Sequence, residues 1–76
     1  MAIIKRKVVL GIPQEMLLEP ILYTINQQYD IKVNLYDSRI NDEEGCMRVE
    51  LEGEEKQIEE GLDWAMARGI RVETIS

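Results

Sequence analysis

The sequence predicts an α+β domain in which two helices alternate with four strands in the order β-α-β-β-α-β. Apolar and polar residues alternate along four short stretches, which is the pattern of half-buried strands. Apolar residues recur every three to four positions along two longer stretches, which is the pattern of amphipathic helices. The 76 residues are enough for one small domain, and we expect residues 1–76 to form it.

The first strand is predicted over Ile3 to Gly11, because apolar and charged residues alternate along it. Pro13 has no N–H group to donate to a ladder, so we expect the strand to stop before it. Pro20 decides where the next helix begins, because an interior proline costs about 3 kcal/mol and a first-turn proline is well tolerated. We therefore expect a helix from Pro20 to Tyr29, preceded by a connection over Gln14 to Leu18.

A bulge is predicted in the second strand, which we place at Ile31 to Ile40. Its apolar residues occupy odd positions up to Leu35, yet the next aliphatic residue, Ile40, is at an even position. One extra residue inserted between Tyr36 and Ile40 reconciles the two.

The third strand supports the same bulge. It is predicted over Gly45 to Gly53, after an acidic four-residue turn that pairs Ile40 with Gly45. With one bulge, Leu35 then lies opposite Val49 and both face the core.

The second helix is predicted over Glu54 to Arg68, with Gly69 as its C-terminal cap and Gly61 where the helix lies close to the sheet. Its expected buried residues are Ile58, Leu62, Ala65 and Met66. Gly69 to Ile75 forms the last strand. Two right-handed β-α-β units around one hairpin give a ferredoxin-like sandwich, a four-stranded antiparallel sheet with both helices on one face.

The composition argues against several classes of function. Nine basic and fifteen acidic residues give a net charge of −6, which disfavours binding to nucleic acids and anionic membranes. No apolar run approaches the roughly 18 residues of a membrane span, and no signal peptide is recognisable, so we expect a cytoplasmic protein. With no histidine and one cysteine, Cys46, we expect no metal, cofactor or disulfide and no catalysis.

The sheet face away from the helices is expected to be polar and of mixed sign, and so to form cross-strand ion pairs in solvent. Its predicted residues are Lys5, Lys7, Val9, Lys32, Asn34, Tyr36, Cys46, Arg48, Glu50, Glu52, Arg71 and Glu73.

From about Val8 to Ile75 the chain resembles the NIL domain, an ACT-like regulatory domain named for an Asn-Ile-Leu tripeptide. The resemblance lies in the joint order of Glu19-Pro20-Ile21, Val33-Asn34-Leu35, Gly45 to Leu51 and Gly69 to Glu73. NIL domains are found at the C-terminus of methionine-importer ABC ATPases, and this chain resembles a free-standing one. The naming tripeptide here is Asn34-Leu35-Tyr36.

The resemblance implies a homodimer that binds methionine or a related amino acid and regulates an ABC transporter or enzyme. By resemblance Asn34 is the first candidate ligand-binding residue, because its amide offers both a donor and an acceptor to an amino acid. The alternative is a polar residue on an exposed strand. Tyr36, which replaces an aliphatic residue of the family, either reshapes the same pocket or is a simple edge-strand aromatic.

Gly11, Ile12 and Pro13 lie where ACT-type domains form a ligand-binding loop, and by resemblance they join the candidate site. An ordinary strand-to-helix turn is the alternative. Met16, Leu17 and Leu18 are candidates for an apolar wall against a thioether, for a dimer contact, or for core packing. The competing function for the whole chain is a ligand-independent adaptor domain that docks on a transporter or enzyme.

Overall fold

The computed structural model describes residues 2–75 and confirms the predicted α+β fold. The elements in chain order are β1 (Ile3–Pro13), a 3₁₀ turn (Gln14–Met16), α1 (Ile21–Tyr29), β2 (Lys32–Ile40), β3 (Glu44–Glu54), α2 (Glu55–Ala67) and β4 (Arg71–Thr74). The strands form one antiparallel sheet in the order β2-β3-β1-β4. This is the ferredoxin-like arrangement.

The core lies between the helices and one face of the sheet. Alternate residues of β1 and β3 point into it, and each helix contributes one apolar stripe. The fully buried side chains of largest volume are Leu10, Ile12, Ile25, Ile31, Leu51, Ile58, Val8 and Val49. No buried side-chain nitrogen or oxygen among residues 2–75 lacks a hydrogen-bond partner, as expected for a core made of aliphatic residues.

The predicted end of β1 at Gly11 is wrong, because the strand continues to Pro13. The N–H of Gln14 donates to the carbonyl of Glu43 at 3.1 Å. Since N–H groups alternate in direction along a strand, the nitrogen of Pro13 points away from β3. On that side the register with β4 ends at Gly11, so the proline removes no ladder hydrogen bond.

The start of α1 agrees with the proline argument. Pro20 occupies the N-cap position, and the backbone N–H of Thr24 donates to its carbonyl at 2.9 Å. The connection before it contains a single 3₁₀ turn. The missing N–H of Pro20 therefore falls where a helix has no internal partner for it.

The bulge in β2 is confirmed, but its predicted position is wrong by one residue. Leu35 lies opposite Val49 and Ile40 opposite Gly45, as expected, and the register shifts between Leu35 and Asp37. The extra residue is therefore Tyr36 itself. Leu35 faces the helix side but remains 51% exposed, because β2 is at the edge of the sheet.

The buried stripe of α2 differs from the prediction at Met66, which is 50% exposed. Ile58, Leu62 and Ala65 are buried as expected. Met66 lies about 100° around the helix from Ala65, past the edge of the stripe. At the C-terminus, Gly69 has φ 90° and Ile70 donates its N–H to the carbonyl of Ala65 at 3.1 Å, which is a glycine-type cap as predicted.

A close approach is present at Gly61, but its partner differs from the prediction, which was the sheet. A β-carbon placed there would lie 2.9 Å from Ile31 Cδ1, 3.6 Å from Ile25 Cγ2 and 3.7 Å from Tyr29 Cδ2. The glycine therefore lets α2 lie against α1 and the residue that precedes β2.

Asp30, the C-cap of α1, adopts φ 55° and ψ 47°, a left-handed conformation that favours glycine. It also places a carboxylate at the negative end of the helix. We expect Asp30→Gly to raise the free energy of unfolding by about 1 kcal/mol, measured by urea denaturation. Asp30→Asn keeps the β-carbon and removes only the charge, so it should give a smaller gain. A glycine variant no more stable than the parent would contradict this account.

Candidate functional site

The face of the sheet away from the helices, which we call the open face, brings together a row of side chains from β2, β3, β1 and the residue that follows β4. Asn34 on β2 lies opposite Glu50 on β3. Glu50 lies opposite Lys7 on β1, and the N–H of Ile75 donates to the carbonyl of Lys7 at 2.8 Å. The open-face row, Asn34–Glu50–Lys7–Ile75, thus places an amide, a carboxylate, an ammonium group and an aliphatic residue side by side.

Tyr36 lies against this row because it is the bulged residue. The Nζ atom of Lys7 is 5.4 Å from the centroid of its ring, within the range of a cation–π interaction. Partial desolvation, followed by the nearby Glu50 carboxylate, raises the pKa of Tyr36 above its usual value. The phenol therefore remains neutral through the physiological range of pH, and its ring is 56% exposed.

A shallow hollow of about 300 Å³ opens beside the row. It is lined by Lys7, Tyr36, Arg48, Val49 and Ile75. Two cations and two apolar surfaces therefore border one concave region of the open face. We call this region the open-face hollow.

Gly11 also lies on the open face, but it is far from Asn34 and Tyr36. It is four residues along β1 from Lys7, or roughly 13 Å at the usual rise per strand residue. Above it, Arg71 Nη2 is 2.6 Å from Glu44 Oε1, and Arg71 Nη1 is 3.0 Å from Glu73 Oε1. A β-carbon on Gly11 would lie 2.9 Å from both Arg71 Nη2 and Glu44 Oε2. The absence of a side chain at Gly11 therefore makes room for an ion pair.

The ion pair shifts the pKa of its arginine. The hydrogen bond to Glu44 and its charge raise the pKa of Arg71, so the guanidinium stays charged. Elsewhere on the open face, the cross-strand ion pairs predicted for Lys5 and Lys7 are not formed. Neither lysine is within 4.0 Å of a carboxylate in residues 2–75.

Ile12 lines a second cavity, on the helix side of the sheet. This apolar pocket has a volume of about 200 Å³. Its lining residues are Ile12, Met16, Leu17, Glu19, Pro20, Ile21, Leu22, Tyr23 and Met47. Met16 and Leu17 thus form part of an apolar wall, whereas Leu18 is fully exposed to solvent. Pro13 is partly buried and does not line the pocket.

The five predicted site residues therefore fall into separate places. Asn34 and Tyr36 share one part of the open face, Gly11 lies beneath the Arg71 ion pair, and Ile12 faces the apolar pocket, with Pro13 at the end of β1.

Sequence reasoning placed Lys7, Arg48 and Glu50 on the open face but did not single them out as site residues. The signal available for Glu50 was the hairpin register, because pairing Leu35 with Val49 also sets Asn34 opposite Glu50. Nothing comparable in the sequence aligns β1 with β3.

Residues 2–75 carry neither a cluster of metal-ligating side chains nor a membrane-spanning helix. No group of three or more histidine, cysteine, aspartate or glutamate side chains there is placed to hold a metal ion. Cys46 is a free, partly buried thiol. No helix in this part of the chain is long and apolar enough to cross a membrane.

The family model of the NIL domain matches residues 6–74. The chain belongs to the NIL family. As a NIL domain it is a small regulatory domain, which agrees with its fold. No curated protein sequence matches it.

Solved structures show the same fold. The NIL domain aligns with the C-terminal domain of an ABC transporter ATP-binding protein from Enterococcus faecalis at 24% identity and a TM-score of 0.81, covering 93% of this chain and 83% of that one. It also aligns with the de novo designed protein Foldit4 at 11% identity and a TM-score of 0.58, covering 99% and 98% of the two chains. At these identities the similarity establishes the fold alone.

Proposed function

We propose that this NIL domain is a cytoplasmic sensor that binds methionine or a related amino acid and regulates a transporter or enzyme partner. The observation that supports it is the open-face row beside Tyr36. An α-amino acid carries one ammonium and one carboxylate, and the row offers an amide, a carboxylate and an ammonium group within three adjacent strands. The neighbouring hollow supplies apolar surface for a side chain.

Asn34 has the central place in this proposal. It stands on the exposed side of β2, and its side chain makes no hydrogen bond within residues 2–75, so both its donor and its acceptor face solvent. The structure of the ABC transporter domain lends plausibility to a transporter partner, because the two folds agree along most of their lengths.

Dimerisation belongs to the same proposal. β2 is an edge strand of nine residues that pairs only with β3. Its outward edge carries unpaired backbone groups, and Ile40 is 67% exposed at its end. Such an edge is a template for pairing with a second strand. A second copy added at β2 would lie next to Asn34, so a ligand there would couple binding to assembly.

The test is thermal unfolding with each of the amino acids. A ligand at about ten times its dissociation constant should stabilise the fold by roughly 1.4 kcal/mol, and we expect such a shift with methionine. Asn34→Ala should abolish it, because the amide that contacts the ligand is lost. Lys32→Ala changes an exposed residue on the same side of the same strand and should leave the shift intact. If no sulfur amino acid changes the unfolding temperature, the sensor proposal fails.

A ligand-independent adaptor domain is the second candidate function. The exposed apolar residues around the second cavity favour it, since Leu18 and Tyr23 lie at solvent beside an apolar pocket. A stable protein partner whose binding is unchanged by amino acids and lost in a Leu18→Lys variant would support the adaptor over the sensor.

A further inference from the structure

Two cations on the central strands of the open face have no carboxylate partner among residues 2–75. Lys7 lies opposite Glu50 and Arg48 lies opposite Asp37, which are the positions where cross-strand ion pairs normally form. Neither cation is within 4.0 Å of a carboxylate in the described residues 2–75. In a chain with a net charge of −6, two cations at one hollow that lack a carboxylate partner among those residues are unexpected.

One of the two opposing carboxylates, that of Asp37, is engaged elsewhere. Asp37 Oδ2 is 3.4 Å from Arg39 Nε, and its Oδ1 accepts a hydrogen bond from the N–H of Ser38 at 2.9 Å. Glu50 lies beside the phenol of Tyr36, while the ring of Tyr36 takes the ammonium group of Lys7. Lys7 and Arg48 both line the open-face hollow, so they bring positive charge to it.

We infer that Arg48 and Lys7 bind the carboxylate of the amino-acid ligand, while Glu50 binds its ammonium group. This inference rests on the proposed sensor function and names the ligand class of the same site. The guanidinium of Arg48 matches a carboxylate with two parallel hydrogen bonds, and Lys7 adds a point charge. Ile75 and the ring of Tyr36 border the hollow on its apolar side. The ligand is thus a free zwitterionic amino acid with an uncharged, apolar or thioether side chain.

This assignment gives roles to residues that the family resemblance did not indicate. Asn34 and Glu50 are adjacent in the row, so the amide and the carboxylate share one end of the ligand. Lys7, on β1, lies opposite Glu50, and Arg48 lies opposite Val9, so Arg48 is diagonal to Lys7 and two residues from Glu50 on β3. The site therefore offers one anionic partner for the ammonium group of an amino acid and two cationic partners for its carboxylate.

The experiment is a ¹⁵N-NMR titration of the full chain with L-methionine, L-methioninamide and N-acetyl-L-methionine. The amide lacks the carboxylate and the acetylated compound lacks the ammonium group, so each should bind about tenfold more weakly than methionine. Arg48→Met should weaken methionine binding about tenfold. It should leave methioninamide binding unchanged, because methioninamide has no carboxylate for Arg48 to bind. Lys7→Met should act in the same direction.

Lys5→Met is the matched control. It removes the same charge from an exposed residue of the same strand and the same face, two residues from Lys7. Its affinity for methionine should stay within about twofold of that of the parent protein, since only the long-range electrostatic field at the site changes. Shifted amide signals should lie at Lys7, Tyr36 and Arg48.

The outcomes separate this inference from the function on which it rests. If the parent protein binds no amino acid, both fail. If it binds methionine and methioninamide equally, and Arg48→Met behaves like Lys5→Met, the sensor function stands and this assignment is overturned. Shifts confined to Ile12, Leu17 and Met47 also overturn it, because they place the ligand in the apolar pocket on the other side of the sheet.

Discussion

Replacing Leu10 by alanine is expected to lower the free energy of unfolding by about 3 kcal/mol, within the usual range for a buried leucine. Leu10 is completely buried on β1, a central strand, where it lies between Met47 on β3 and Val72 on β4. A domain of this size is expected to have a total stability on the order of 4–11 kcal/mol. The single substitution therefore removes a large part of it, and the melting temperature should fall by roughly 12–24 °C.

The control is Lys5→Ala, on the same strand with its side chain exposed on the opposite face. It should change stability by no more than about 0.5 kcal/mol. Urea denaturation at two protein concentrations measures both variants and shows in addition whether self-association contributes to stability. A Leu10→Ala variant that loses less than about 1 kcal/mol would mean that the site collapses around the smaller side chain.

Replacing Gly61 by leucine is expected to destabilise the fold by about 3 kcal/mol. Its β-carbon alone would lie 2.9 Å from Ile31 Cδ1, and Ile31 is fully buried. The remaining carbons would have to displace α1 from α2, and overpacking of this kind costs about 1–3 kcal/mol or more. Circular dichroism during thermal unfolding gives the loss.

The smaller substitution Gly61→Ala sets the gain in helix propensity against the steric contact with Ile31. Alanine gains about 1 kcal/mol of helix propensity over glycine, which opposes the contact with the terminal methyl group of Ile31. We therefore expect a change smaller than about 1 kcal/mol. Glu60→Leu, on the exposed side of the same turn, should be close to neutral. A leucine at position 61 that leaves stability unchanged would refute the close packing of the two helices.

The hairpin of β2 and β3 shows how far local sequence determines structure here. Two strands joined by a short turn have few registers, and side chains alternate between faces, so the change of parity between Leu35 and Ile40 demanded one bulge. The same reasoning placed Asn34 on the open face. Which residue is bulged was not determined, because inserting the extra residue at any of several positions restores the same parity.

The candidate site depends on contacts between distant parts of the chain. Lys7 and Glu50 are 43 positions apart in sequence, and no turn relates β1 to β3. Parity excludes a slip of one residue, which would turn apolar residues out of the core, yet a slip of two residues keeps every face correct. The packing of Val8 against Val49 and of Leu10 beside Met47 selects one register of β1 with β3. That register places Lys7 in line with Asn34, two strands away.

By itself the sequence determined the order of the elements, the start of α1 directly after Pro20, the cap at Gly69 and the side of the sheet on which Asn34 stands. These follow from periodicity and from the backbone properties of proline and glycine, which act over a few residues. The tertiary structure decided that Tyr36 lies against Lys7 and that Arg48 has no carboxylate partner among residues 2–75. It also placed Gly11 beneath the Arg71 ion pair and Ile12 at the apolar pocket. Those outcomes depend on which side chains from separate strands come into contact, and these strands become neighbours only in the assembled sheet.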